Sequence, residues 1–239
     1  VKEALTVDYK VGVDDFRITT GKYPAQALPG EKEVGTYHYV AIDVKTGKLQ
    51  TAQYPKLSNE FIPVYRVFKL AWWGKDTRLV YFIDADRYNK RLRLVEFEIA
   101  TGATRVLFEE QSETSVKFSH MWEDKPVMMP LPQTEELLWY SERSGFGHLY
   151  LYDLKNGKLK NKITGGDWVV RNIVKYDATR REVFIQTSGR DKKKDPYYRD
   201  LVRINIDTGK MVAIADSNHD IDAYSQQNVI TTDWGGFKT

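Results

Sequence analysis

His148-Leu-Tyr-Leu-Tyr-Asp153 runs without a break into Leu154-Lys-Asn-Gly157-Lys158, and this short passage decides the fold. Six residues dominated by Leu and Tyr, closed by turn formers, read as a β-strand. The adjoining Asn-Gly reads as a hairpin turn, because glycine takes a positive φ without steric cost. The same pairing of strand and turn recurs. Tyr37–Asp43 (YHYVAID) enters Asp43–Lys48 (DVKTGK), Arg93–Ile99 (RLVEFEI) enters Glu98–Thr104 (EIATGAT), and Leu201–Asp207 (LVRINID) enters Asp207–Lys210 (DTGK). The pivotal glycines Gly47, Gly102, Gly157 and Gly209 succeed one another at 55, 55 and 52 residues. A period just above 50 with about four strands per unit marks a β-propeller.

Working outward, each unit fills in. The second has an inner strand near Arg66–Trp72, a turn at Gly74–Arg78, then Leu79–Asp84, Arg93–Ile99 and Thr104–Phe108. The third has Val127–Leu131, a turn at Pro132–Glu136, Leu137–Ser141, His148–Asp153 and Leu159–Thr164. The fourth has Asn172–Tyr176, a turn at Asp177–Arg181, Glu182–Ser188, Leu201–Asp207 and Met211–Ala215. The first, without a clean inner strand, carries the loop Tyr23–Glu33, and Gln226–Thr232 opens a fifth. The expectation is an all-β chain, a single partial propeller over 1–239, with blades of four antiparallel strands at roughly 1–55, 66–108, 127–164 and 172–215 and a trailing strand at 226–232.

Composition agrees. The 239 residues carry 15 Tyr, 10 Phe and 6 Trp, a bias toward residues that suit a pleated, half-buried surface. No stretch shows the three-to-four spacing of an amphipathic helix. Hydrophobic residues at 41% and charged residues at 29% are those of a folded globular chain. The net charge of +3, with both signs interspersed, gives no basic stripe for nucleic acid. The absence of cysteine removes disulfides, thiol catalysis and Cys-containing metal sites. No apolar run approaches the roughly 18 residues of a membrane span, and no signal peptide is visible at Val1.

Successive strands of a blade reverse direction, so first-to-second and third-to-fourth turns share one rim. Second-to-third loops and blade-to-blade connections share the other, where Pro55–Tyr65, Ala85–Leu92, Glu109–Lys125 and Gly189–Asp200 make the long segments. Loops carry function more often than scaffold strands, so a binding face is expected on this long-loop rim. Recognisable chemistry is absent. There is no Gly-x-Ser-x-Gly elbow, phosphate loop or His-Glu-x-x-His pair, and His38, His120, His148 and His219 are scattered. No catalytic residue, metal ligand or cofactor is assigned. Glu109–Glu110 and Glu135–Glu136 read as solvated turns. Asp84, Asp86 and Asn89 miss the EF-hand spacing. Trp72, Trp73, Trp139 and Trp168 read as blade packing, whereas Trp122, in the polar Ser119–Lys125 (SHMWEDK), reads as exposed.

Ser141–Asp153 (SERSGFGHLYLYD) with Ile163–Arg171 (ITGGDWVVR) resembles the N-terminal propeller of dipeptidyl peptidase IV and its bacterial relatives in the prolyl oligopeptidase class. Tyr23-Pro24 with the strand near Val40–Val44, and Asp195–Asn205 (DPYYRDLVRIN), fit the same pattern. The resemblance implies a serine exopeptidase that releases dipeptides from peptide N-termini, with its catalytic Ser, Asp and His in a C-terminal α/β-hydrolase domain that this chain lacks. The family's acidic pair would fall before Val1, so neither glutamate pair here inherits its role. Of the family's eight blades the chain supplies about four. A family loop that brings an aromatic and an Arg to the substrate corresponds to Ser119–Glu123, where Met121 and Trp122 stand and no Arg does. Met121 and Trp122 are therefore the expected substrate-binding residues.

Two functions are compatible with this reading. One is the non-catalytic propeller portion of such a peptidase, inactive alone, whose partners are the hydrolase domain and a peptide substrate, in the periplasm or outside the cell as the family implies. The other is a stand-alone propeller binding module. Either way, an arc of blades leaves unpaired sheet faces, so the chain is expected either to self-associate and cover them or to close as a compact four-bladed ring.

Overall fold

The computed structural model describes the strand backbones Leu5–Lys10 and Ile18–Tyr23 and residues 36–58, 71–118, 126–215 and 219–222. Among the described residues, sixteen strands and one short 3-10 turn, Pro132–Thr134, make up the regular structure. Three antiparallel four-stranded sheets form the body. They are β5 (Ala71–Trp73) to β8 through β6 (Leu79–Ala85), β7 (Arg91–Glu98) and β8 (Thr104–Gln111), then β9 (Met129–Leu131), β10 (Glu136–Ser141), β11 (His148–Asp153) and β12 (Leu159–Lys162). The last holds β13 (Val169–Asp177), β14 (Glu182–Ser188), β15 (Arg199–Asn205) and β16 (Met211–Ala215), and in all three the strands pair in chain order. These are blades two, three and four of a β-propeller, as expected.

The first unit differs. Instead of one four-stranded sheet it shows two hairpins, β1 (Leu5–Lys10) with β2 (Ile18–Tyr23) and β3 (Val40–Ile42) with β4 (Leu49–Thr51). Tyr37 makes only an isolated bridge to Leu57, so the strand expected over Tyr37–Asp43 shrinks to three residues. The expected trailing strand at 226–232 lies outside the described residues, as do residues 66–70 of the second blade's inner strand.

Boundaries shift where side chains intervene. The strand expected over Leu201–Asp207 ends at Asn205, because the Asn205 carboxamide accepts from the N–H groups of Asp207 and Thr208 and opens the turn itself. β13 runs from Val169 to Asp177, longer than Asn172–Tyr176, and two register shifts absorb the extra residues. At blade three the edge strands are shorter than expected, Met129–Leu131 and Leu159–Lys162.

Period-two alternation explains how the blades stack. On β11, Leu149 and Leu151 point one way and join Leu138, Tyr140, Ile185, Val202 and Ile204 in the layer between blades three and four. Tyr150 and Tyr152 point the other way and join Leu137, Trp139, Ile83, Leu92 and Leu94 in the layer between blades two and three. The opposite face of blade two, Phe82, Val95 and Phe97, meets Tyr39, Ala41, Ala52 and Leu57 of the first unit. The two central strands of blades two and three are thus apolar on both faces, the pattern of a sheet buried between two others.

A second rule repeats at the blade margins. The third-to-fourth turn of each blade sits on the outer strand of the blade before it. Gln53 N–H donates to the Gly102 carbonyl (2.8 Å) and Thr104 Oγ1 to the Gln53 carbonyl (2.6 Å). Arg105 Nη2 donates to the Lys155 carbonyl at 3.0 Å, and a Cβ on Gly157 would come 2.0 Å from the Leu107 carbonyl oxygen. Asn161 Nδ2 donates to the Ile206 carbonyl at 2.7 Å, with Gly209 beside Ile163. Gly47, Gly102, Gly157 and Gly209 all have φ between 70° and 83°, as the hairpin reading requires.

Candidate functional site

Strand direction places the loops 86–90, 142–147 and 189–198, the connection 163–168 and the described stems 52–58, 112–118 and 126–128 on one rim. The length contrast between rims is narrower than expected. Loops 86–90 and 142–147 are no longer than the turns of the opposite rim. Among the loops described throughout, 189–198 is the long one.

The connection after β8 carries Met121 and Trp122, and both lie outside the described residues. Its two stems are fixed. Ser112 N–H donates to the Lys90 carbonyl and Val116 N–H to the Asn89 carbonyl, laying the first stem along loop 86–90. Val116 is buried in the core between blades two and three. Val127 N–H donates to the Phe118 carbonyl at 2.7 Å, which joins the two described stems to each other.

Between blades two and three lies a polar cluster that sequence reading missed. Glu110 turns inward and accepts from Trp139 Nε1 (2.9 Å), Arg143 Nη2 (2.8 Å) and Ser141 Oγ. Arg143 also donates from Nε to Ser141 Oγ (2.8 Å) and from Nη1 to Tyr152 OH (2.7 Å), and lies over the Tyr150 ring at 4.5 Å. Burial works against the Arg143 charge, but Tyr152 and the Glu110 carboxylate outweigh it and raise the pKa. Tyr152 is itself raised, chiefly by burial. The cluster is self-satisfied. It ties β8 of blade two to β10, β11 and Arg143 of blade three. The only sequence signal was the Glu-Arg of Ser141–Gly145, because the partner Glu110 lies 33 residues away.

The other candidates resolve into scaffold. Glu109 pairs on the strand surface with Arg93 and Gln111, and Glu135 reaches Lys155 at 3.1 Å. Glu136 is buried, not the solvated turn residue expected. It accepts from Arg181 Nη1 (2.9 Å) and from Lys160, and Arg181 turns its other edge to Asp207 at 2.6 Å. Burial alone would raise the Glu136 carboxyl, but Arg181 and Lys160, with Thr134, overcome it and hold the pKa at about 2. Asp84 accepts from Tyr54 OH (2.8 Å), and the Asp86 carboxylate caps its own loop through the N–H groups of Lys90 and Arg91. Among the described residues no group of three or more His, Asp or Glu side chains could hold a metal. Trp139 and Trp168 are buried as expected, whereas Trp73 is exposed. His38 and His219 are exposed, and His120 lies outside the described residues.

His148 sets a hydroxyl beside an imidazole. Its Nδ1 is 3.0 Å from Thr164 Oγ1 and its Nε2 2.9 Å from the Gly166 carbonyl. Gly166 offers only an acceptor, so Nε2 carries the proton and Thr164 donates to Nδ1. Thr164 Oγ1 also accepts from Leu149 N–H, no carboxylate orients the ring, and both side chains are buried. Burial, with Lys162 nearby, lowers the His148 pKa, while its bond to Gly166 opposes this. A nucleophile and base need access to a substrate, so this pair is a fold element that closes the passage from β12 to Trp168.

With this geometry established, comparison with known proteins locates the chain. The family model described as the dipeptidyl peptidase IV (DPP IV) N-terminal region matches residues 17–236. A dipeptidyl aminopeptidase IV structure from Bacteroides ovatus superposes with a TM-score of 0.57 at 17% identity, covering 87% of this chain and 29% of that one. Dipeptidyl peptidase 4 of Porphyromonas gingivalis superposes with a TM-score of 0.61 at 17% identity, covering 90% of this chain and 28% of that one. At such identity the likeness is one of fold, and this chain spans less than a third of either structure.

Proposed function

The chain belongs to the family of dipeptidyl peptidase IV N-terminal regions, and from that premise we propose that it is the non-catalytic propeller portion of a dipeptidyl-peptidase-IV-like serine exopeptidase. Its long-loop rim shapes the access of peptide substrates to a C-terminal α/β-hydrolase domain that supplies the nucleophile. The family match over residues 17–236 carries this reading. The rim geometry supports it: Val127 N–H donates to the Phe118 carbonyl, so the described residues on either side of Met121 and Trp122 meet on that rim. In this reading Met121 and Trp122 contact the substrate, and the parent enzyme works in the periplasm or outside the cell. No described helix is long and apolar enough to cross a membrane.

The test compares the 239-residue chain with the product of the whole gene on a fluorogenic dipeptidyl-proline substrate. The whole product cleaves it and the 239-residue chain does not. Trp122→Ala in the whole product raises KM several-fold and leaves kcat nearly unchanged, because the residue binds substrate without entering the chemistry. Cleavage by the chain alone overturns the reading. A whole product without peptidase activity also overturns it, in favour of a stand-alone binding module.

A further inference from the structure

His148 opens β11 on the rim where blade three passes to blade four, and its surroundings suit one charge state. His148 is 1% and Thr164 3% exposed. The neutral ring fits them fully. Nε2–H donates to the Gly166 carbonyl, and Nδ1 accepts from Thr164 Oγ1, which itself accepts from Leu149 N–H. Trp168 closes another side, edge-on at 5.0 Å between ring centroids. Thus a single imidazole carries the inner contacts of the connection 163–168.

A second proton breaks this arrangement. Nδ1–H then needs an acceptor, but Thr164 Oγ1 already takes the Leu149 N–H and carries a hydrogen of its own. If Oγ1 turns a lone pair to the ring, its hydrogen is stranded in a dry site. The charged groups of the surrounding elements do not rescue the cation. In the loop before β11, Glu142 is taken by Tyr140 OH (3.2 Å) and Arg143 by Glu110. In loop 189–198, Arg190 and Lys194 hold the buried Asp200 at 3.7 and 3.3 Å. Asp167 is exposed and offers its carbonyl to Lys192 at 2.7 Å, and Arg171 on β13 is another cation. Burial is the main force holding the His148 pKa below its ordinary value. The Gly166 carbonyl opposes it, and Lys162 on β12 adds repulsion.

We propose that His148 is an acid-released clasp: its protonation lifts residues 165–168 away from the start of β11 and loosens the rim between blades three and four. That segment is the cover that yields. It holds two glycines, and Gly165, Gly166 and Asp167 are exposed. The ring grips it from inside and Lys192 from outside. Its inner end is weakly tied, since Thr164 N–H reaches the Leu149 carbonyl at 3.3 Å against 2.9 Å for Ile163 N–H. Lifting it gives water to the charged ring at the cost of few bonds. The sign follows from linkage. The closed state takes the proton less readily than the open one, so closure is strongest above about 6.5, the ordinary histidine value, and weakens as pH falls below it. The clasp does not depend on the peptidase reading.

Amide hydrogen exchange on the 239-residue chain, read by NMR from neutral to mildly acid pH, tests it. The reporters are the N–H groups of Leu149, Thr164 and Val170, the last of which donates to the Gly147 carbonyl at 2.8 Å. Their protection factors fall by up to about tenfold per pH unit below about 6.5, the limit for one linked proton, while the amides of β6 and β7 keep theirs. The His148 ring titrates below its ordinary value. His148→Gln keeps a donor for the Gly166 carbonyl and takes no second proton, so the fall disappears. Lys162→Met, at an exposed position, removes the repulsion, so the fall levels off at higher pH. This variant tests the same charge without disturbing the core. Protection that ignores pH overturns the proposal. So does a ring that titrates at or above the ordinary value, or a fall that survives in His148→Gln. A fall shared by β6 and β7 also overturns it, since that is unfolding of the whole chain.

Discussion

Asp43–Lys48 and Asp153–Lys158 are nearly the same turn in two surroundings. In both, the aspartate N–H donates to the closing lysine carbonyl, at 3.0 and 2.9 Å, and the glycine N–H donates back to the aspartate carbonyl at 2.8 Å. Both aspartates also accept from the N–H two residues on, at 2.9 and 2.8 Å, and both glycines have φ +71°. The residue after the aspartate separates them. Val44 is 94% exposed, whereas Leu154 is 1% exposed, with its N–H on the Glu135 carbonyl. Ile99 and Ile206 repeat the Leu154 arrangement on the carbonyls of Arg78 and Arg181. The local code builds the hairpin in every blade. Burial needs the blade's own first-to-second turn below and the previous blade's outer strand beside it.

The comparison can be broken at its strongest point. In blade four the turn is latched by Arg181, which joins Asp207 to the buried Glu136 of blade three. Arg181→Met strands that carboxylate with Lys160 alone and costs about 3–5 kcal/mol in urea unfolding at neutral pH. The latch also sets an acid limit. The folded pKa of Glu136 lies below its ordinary 4.5, at about 2. Its contribution is therefore complete above about 4.5 and is lost as pH falls toward about 2. Arg181→Met flattens that part of the stability-against-pH profile. An unchanged slope would show that the latch contributes nothing to acid sensitivity.

Smaller effects are expected at the position after the aspartate. Leu154→Ala costs about 2–5 kcal/mol, the range for a filled core position, while Val44→Ala stays within about 0.5 kcal/mol. Equal effects would mean that Val44 is covered in solution, which concentration dependence would reveal. The glycines give the finest cut. Gly47→Ala carries only the left-handed backbone penalty of about 1–2 kcal/mol. Gly157→Ala carries that penalty plus about 1–3 kcal/mol from crowding the Leu107 carbonyl. Since φ is the same at both, the difference between the two melting shifts isolates the docking of one blade on the next.

Much of the fold was legible residue by residue. Glu182–Ser188, His148–Asp153 and Met211–Ala215 have the bounds that alternation and turn residues suggested. Leu201–Asp207 was misjudged because an Asn in a strand-like run can cap its own turn, and only its side-chain geometry tells. Glu136 read as a turn residue because adjacent acids usually face water. Its partners Lys160 and Arg181 stand 24 and 45 positions away. Glu110 and Arg143 were missed for the same reason. The candidate contacts Met121 and Trp122 came from resemblance, and the feature that bears on them is the pinning of the stems at Phe118 and Val127.

Short-range physics wrote the blades into the chain. Period-two alternation chooses strand over helix, and a glycine every fifty-odd residues sets the hairpins, since both depend on neighbours only a few residues apart. Which face of each strand is buried, which acid becomes a latch and which turn stays open are decided by contacts between blades. Those contacts join residues dozens of positions apart, and their energies depend on the water excluded when two sheets meet.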